Sequence, residues 1–151
     1  MRLKDCHSFV DFRELARRRL PSPIFNYIDG AADDESTYDR NTKSFEDCDL
    51  VPNVLRGTEN IDMSVEILGQ KLDMPIYCSP TALQRVFHHE GENAVAAAAD
   101  KYGTLFGVSS LGTVSLSEVR KQYSGPQCYQ FYFHKDRELN QVMLENAKNA
   151  N

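Results

Sequence analysis

Neutral hydrogen-bonding groups recur in this sequence at the ends of short apolar runs. Ser79-Pro80-Thr81-Ala82 follows Pro75-Ile76-Tyr77-Cys78, and Ser109-Ser110 follows Leu105-Phe106-Gly107-Val108. Gln130 and Tyr132 lie inside a third run, Cys128 to Phe133. Hydroxyls, amides and phenols of this kind can hold and orient a polar ligand without adding a competing charge. Taken singly, each has an ordinary structural use: Thr81 could cap a turn, Ser109 could bond to backbone, and Gln130 could be a satisfied core amide. Their coincidence at one end of three runs favours a binding site.

The runs alternate with helical patterns. Pro75 to Cys78 precedes a helix former at Glu92 to Tyr102, and Leu105 to Val108 precedes Ser115 to Tyr123. Cys128 to Phe133 precedes Arg137 to Lys148, where Leu139, Val142, Met143 and Ala147 fall at helical spacing. Three consecutive strand–helix units imply an α/β fold with a parallel sheet and helices outside it. The strands begin near Pro75, Thr104 and Gln127, so a unit takes about 26 residues. Eight such units need on the order of 200 residues, the scale of a (β/α)8 TIM barrel; pattern alone leaves a doubly wound sheet open. In either fold, ligands bind beyond the carboxyl ends of the strands. Gln130 and Tyr132, two residues apart on a strand, would point to one side, with Tyr129, Phe131 and Phe133 on the other under helices.

Before the first unit the chain reads helical. Phe9, Phe12, Leu15 and Ala16 form one stripe, which Pro21 and Pro23 break. A second helix is predicted over Ile24 to Asp29, ending near Gly30, and Asp33-Asp34-Glu35 is expected to open a third. Met63, Val65 and Ile67 alternate with polar neighbours, and Gly69-Gln70 supplies a turn, so a short strand pair is expected. Residues 1–151 thus read as one domain portion, with helices and a strand pair over 1–74 and three β/α units over 75–151.

Composition narrows the function. With 41% hydrophobic and 26% charged residues the chain is globular, and a net charge of −5 argues against nucleic acid. The densest basic run, Arg17-Arg18-Arg19, beside Glu14, reads as a solvated helix face. Cys6, Cys48, Cys78 and Cys128 form no CxxC pair, which suits reduced thiols and a cytoplasmic location. The longest apolar run, Ala94 to Ala99, is too short for a bilayer. His88-His89-Glu90 has metal-ligand residue types, but neighbours in a loop are not expected to converge, so no metal is assigned. There is no GxGxxG, P-loop or GxSxG sequence.

The ordered set of motifs resembles the N-terminal portion of the FMN-dependent α-hydroxy-acid dehydrogenases and oxidases, which include glycolate oxidase, L-lactate dehydrogenase and mandelate dehydrogenase. The resemblance is carried by Leu20-Pro21, Tyr27-Ile28-Asp29-Gly30-Ala31, Asp34-Glu35 with Arg40-Asn41, and the segment Ile67 to Ile76. It continues through Ser79-Pro80-Thr81-Ala82, Gly91-Glu92, Ser109-Ser110 and Gln130-Phe131-Tyr132. It implies a (β/α)8 barrel binding FMN at the carboxyl-end mouth. Pro80, Thr81 and Ala82 would line the flavin ring, Ser109 would bond to the flavin, and Gln130 would bond to its pyrimidine part. Tyr27 and Tyr132 would hold the substrate, an L-2-hydroxy acid oxidised to the 2-keto acid. A complete chain of this kind is expected to form a homo-oligomer, a tetramer.

Two departures from the family's pattern follow. Position 111 is Leu, where glycolate oxidase relatives tend to carry an aromatic residue; this leaves substrate size open and favours a lactate-like acid. The family's active-site histidine, substrate-binding arginines, flavin-contacting lysine and phosphate-binding loop do not occur in these residues. The sequence is therefore expected to be a truncated enzyme, inactive alone, with a non-catalytic half-barrel completed by a partner chain as the alternative.

Overall fold

The structure, a computed structural model, describes residues 2–57 and 59–150. The chain divides into two compact units, Met1–Glu59 and Asn60–Asn151.

In the first unit, helix α1 spans Phe9–Arg19 and is opened by a capping box. The Ser8 hydroxyl accepts from the Asp11 amide, while the Asp11 carboxylate accepts from the Ser8 amide at 2.9 Å. It stops at Leu20, because Pro21 cannot continue the ladder. Helix α2, Ser22–Asp29, starts two residues earlier than predicted, since Pro23 is tolerated in a first turn, where amides lack partners anyway. Leu15 and Phe25 are buried, and Arg13 forks onto Asp29 through Nε and Nη2, the longer bond being 2.9 Å. Helix α3 covers Ser36–Lys43. The acidic stretch precedes this helix instead of forming its first turn: Asp33 and Glu35 have φ of 50° and 59°. Their neighbourhood is a turn in which Glu35 accepts from the Ala31 amide and Asp34 from the Ser36 amide.

In the second unit, strands β1 (Val65–Ile67) and β2 (Gln70–Leu72) form an antiparallel hairpin. Its turn is Leu68–Gly69, one residue earlier than the sequence suggests, which releases Gln70 into the strand. The Gln70 side chain then acts as a strand partner to the backbone of Gln127: its amide donates to the Gln127 carbonyl and its oxygen accepts the Gln127 N–H, both at 3.2 Å.

Three strands follow, each with a helix: β3 (Tyr77–Cys78), α4 (Glu92–Lys101), β4 (Leu105–Ser109), α5 (Leu116–Gln122), β5 (Gln127–Gln130) and α6 (Arg137–Asn149). The sheet order is β3-β4-β5, all parallel, with Cys78 opposite Phe106 and Ser109 opposite Gln130. Every residue of central β4 is buried. Its Phe106 and Val108 pack with Ala96 and Ala99 of α4, Val114, and Val119 of α5; a fully buried side chain of this kind contributes about 1.5–3 kcal/mol. The small alanines let α4 lie close on the sheet. Gly107 does the same for the chain leaving β3, because a Cβ there would stand 2.8 Å from Pro80 Cδ and 2.9 Å from Pro80 N.

β5 is shorter than the sequence predicts, ending at Gln130 instead of Phe133. The cause lies in the neighbouring strand: β4 ends at Ser109, opposite Gln130, so residues beyond find no ladder partner. Tyr129, Phe131 and Phe133 keep to one another, with ring centroids 6.3 and 5.3 Å apart, but Phe133 is 85% exposed and not covered by helices. No described helix is long and apolar enough to cross a membrane.

Candidate functional site

The carboxyl ends of β3, β4 and β5 stand side by side, so the polar residues that follow them are gathered in one region. Ser109 is buried and donates its hydroxyl hydrogen to the Gln130 side-chain oxygen at 3.3 Å. The same hydroxyl accepts from the Leu111 amide at 3.1 Å, and the Ser110 amide donates to the Gln130 carbonyl at 2.9 Å. With its oxygen engaged, the half-buried Gln130 amide is oriented so that its NH2 remains as a donor, next to the unused lone pair of Ser109. The Ser110 hydroxyl is buried and has no hydrogen-bond partner among the described residues.

The loop after β3 runs past the same strand ends. Pro80 lies against Gly107, and Thr81 and Ala82 are half-buried. The Thr81 carbonyl accepts from the buried Gln84 side chain at 3.2 Å. Two bonds join this loop to the one after β4: the Leu83 amide to the Leu111 carbonyl, and the Arg85 amide to the Thr113 hydroxyl, both 3.1 Å. Behind them sits Glu92, the first residue of α4 and fully buried. Its two oxygens accept from the Thr113 amide at 2.7 Å and the Thr113 hydroxyl at 2.6 Å. Burial pushes its carboxyl pKa up, but the hydrogen bonds from Thr113, from its own amide and from the Gln84 amide outweigh burial and leave it below the ordinary value. Gly91 makes room for this contact: its φ is +53°, and a Cβ would meet Arg85 Cγ at 2.6 Å.

Residues 16–151 match the FMN-dependent dehydrogenase family. The chain belongs to that family. Over 140 residues it is 36% identical to glycolate oxidase of Spinacia oleracea and 39% identical to L-lactate dehydrogenase of Xanthobacter autotrophicus, in each case over 93% of this chain. It covers 38% and 36% of those proteins, so it spans well under half the length of these relatives. Among solved structures, a mandelate oxidase superposes with a TM-score of 0.87 at 31% identity, covering 95% of this chain and 41% of that one. A soluble mutant of the membrane-associated (S)-mandelate dehydrogenase from Pseudomonas putida gives 0.86 at 30% identity, covering 93% and 40%. The three β/α units of this chain are therefore part of the TIM-barrel architecture its structural relatives share.

The donor set suits the family's cofactor. The pyrimidine edge of a flavin alternates carbonyl acceptors with an N–H donor, and the Ser109–Gln130 pair offers an amide donor beside a free lone pair. Of the residues predicted to form the site, Ser109 and Gln130 are in direct contact, and Pro80 is brought against β4 by Gly107. Tyr132 lies beyond the end of β5 and is 56% exposed, so no sheet register fixes its direction. Tyr27 belongs to the first unit, exposed on α2. His88, His89 and Glu90 do converge, contrary to expectation: one ligand atom from each lies within 4.8 Å of the others, all three residues being exposed. One groove of about 810 Å³ is lined by Phe133, His134, Arg137, Asn140 and Leu144, and another of about 690 Å³ is bordered by Ser109, Ser110, Thr113 and Tyr129. The sequence singled out Gly91-Glu92 only as a motif without a role, and did not single out Thr113. A glutamate at a helix start reads as a solvated dipole partner, and no local signal reveals that this one is enclosed by a loop 21 positions onward.

Proposed function

We propose that this chain forms the flavin-ring side of an enzyme that oxidises an L-2-hydroxy acid, lactate- or glycolate-like, to the 2-keto acid with FMN. The observation that carries the reading is the Ser109–Gln130 pair, held at the ends of adjacent parallel strands beside the Pro80–Ala82 loop. Pro80, Thr81 and Ala82 line the ring, and Ser109 and Gln130 bond to its pyrimidine edge. Tyr27 and Tyr132 bind the substrate through phenolic hydroxyls, which hold a carboxylate by hydrogen bonds alone. Oxidation removes two electrons and two protons: bound FMN would supply the acceptor for the electron pair and the hydrogen on the substrate carbon, and the hydroxyl proton would pass to a base outside these residues. Leu111, half exposed beside Ser109, stands where glycolate oxidase relatives tend to carry an aromatic residue, which leaves substrate size open and favours a lactate-like acid.

Histidine, arginine, lysine and phosphate-loop functions of the kind the family uses come from residues outside these 151, either on one longer chain or on a partner completing the half-barrel. A reducing, cytoplasmic location and a homotetrameric complete enzyme belong to the same reading. The test is to purify the natural gene product, determine its intact mass, and add L-lactate or glycolate anaerobically. Bleaching of a tightly bound flavin by one of these acids is the expected result. A protein that binds no flavin, or whose flavin neither acid reduces, refutes the proposal. The 151-residue chain alone is expected to show no turnover.

A further inference from the structure

We propose that Glu92 is a positioning residue for the flavin site, acting through Thr113; this rests on the reading that Pro80–Ala82, Ser109 and Gln130 hold the ring. A carboxylate removed from water is costly unless its lone pairs are filled, and Glu92 has no ion-pair partner among the described residues. Its compensation comes from the amide and hydroxyl of Thr113 on the loop that leaves β4, and Thr113 in turn is bonded to the loop that leaves β3. Each of those loops leads in one further bond to a flavin-side residue. On one side, the Gln84 side chain donates to the Thr81 carbonyl. On the other, the Gly112 amide donates to the Ser109 carbonyl at 3.0 Å, and the Leu111 amide to the Ser109 hydroxyl. Thr113 closes the circuit, since its hydroxyl accepts from the Arg85 amide while donating to Glu92. The spacing between Thr81 and Ser109 is thereby set by one buried anion. Packing alone would need no such anion, because an apolar residue fills the same volume at lower cost.

The test uses the natural gene product, freed of flavin and titrated with FMN while quenching of flavin fluorescence is followed. Glu92→Gln, Thr113→Val and Thr113→Ser are compared with wild type for FMN Kd, visible flavin spectrum, and kcat and KM with L-lactate. Glu92→Gln and Thr113→Val are expected to weaken FMN by about tenfold or more, the scale at which outer-shell partners of a bound group act. They should also shift the flavin absorption bands and lower kcat more than they change KM, with Thr113→Ser restoring all three. If Glu92→Gln does not fold, Thr113→Val decides, because it keeps the carboxylate and the residue-113 amide. Variants that bind FMN as wild type does, with an unshifted spectrum and only lower thermal stability, make Glu92 a structural brace and overturn the inference. A wild-type protein that binds no FMN overturns the parent reading as well.

Discussion

Thr113 gives both its amide and its hydroxyl hydrogen to the two oxygens of Glu92, at 2.7 and 2.6 Å, across 21 positions of sequence. The glutamate opens α4 and the threonine belongs to the loop after β4, so the contact joins two consecutive β/α units behind the strand ends. One residue thus has to be a carboxylate at a place where local sequence suggests only a helix start.

Acid should therefore weaken the fold through Glu92. Burial raises its carboxyl pKa, but the hydrogen bonds win and hold it below the ordinary 4.5. A depressed folded pKa stabilises above the unfolded value and is lost as pH falls through the folded one. Glu92→Gln should destabilise by about 1–3 kcal/mol at neutral pH. The difference from wild type should shrink below about pH 4.5. Urea unfolding of both proteins across that range checks the sign; a gap that widens in acid would contradict it.

Gly107→Ala should disturb the Pro80 loop. The added methyl would lie 2.8 Å from Pro80 Cδ and 2.9 Å from Pro80 N, and neither backbone nor ring yields cheaply. A loss of about 1–3 kcal/mol in stability is expected for overpacking of this kind, together with weaker FMN binding. Thermal unfolding and flavin titration read the two effects separately.

Replacing Gln70 by Leu should leave the Gln127 amide and carbonyl without their side-chain partner. The cost is about 1–3 kcal/mol for part-buried groups so stranded. Hydrogen exchange should localise it: protection at Gln127 falls, while the Val108 and Ser109 amides of central β4 change little.

The Arg13–Asp29 fork makes a prediction in the first unit. Arg13 holds the Asp29 carboxyl below its ordinary value, chiefly through the side-chain hydrogen bonds. Arg13→Gln should return the Asp29 titration toward that value, as followed by NMR of the carboxyl carbon. The stability change should be small, because both groups retain solvent and water screens the pair.

The order of the elements, the parallel sheet and the strand-end polar residues were legible in the sequence alone. Period-2 and period-3.6 patterns report burial directly, and Pro21 and Pro23 act within a turn of where they stand. Ser109 and Gln130 could be picked out because polar groups at the ends of buried strands need a reason. What the tertiary structure decided was anything depending on a neighbour distant in sequence. β5 stops at Gln130 because β4 stops at Ser109. Gln70 leaves the turn and pairs with Gln127, 57 positions away. Glu92 is buried by a loop that closes over it only when β4 pairs with β3. Local propensity carries no information about such partners, and in each case the long-range bond, once made, sets where the local element begins or ends.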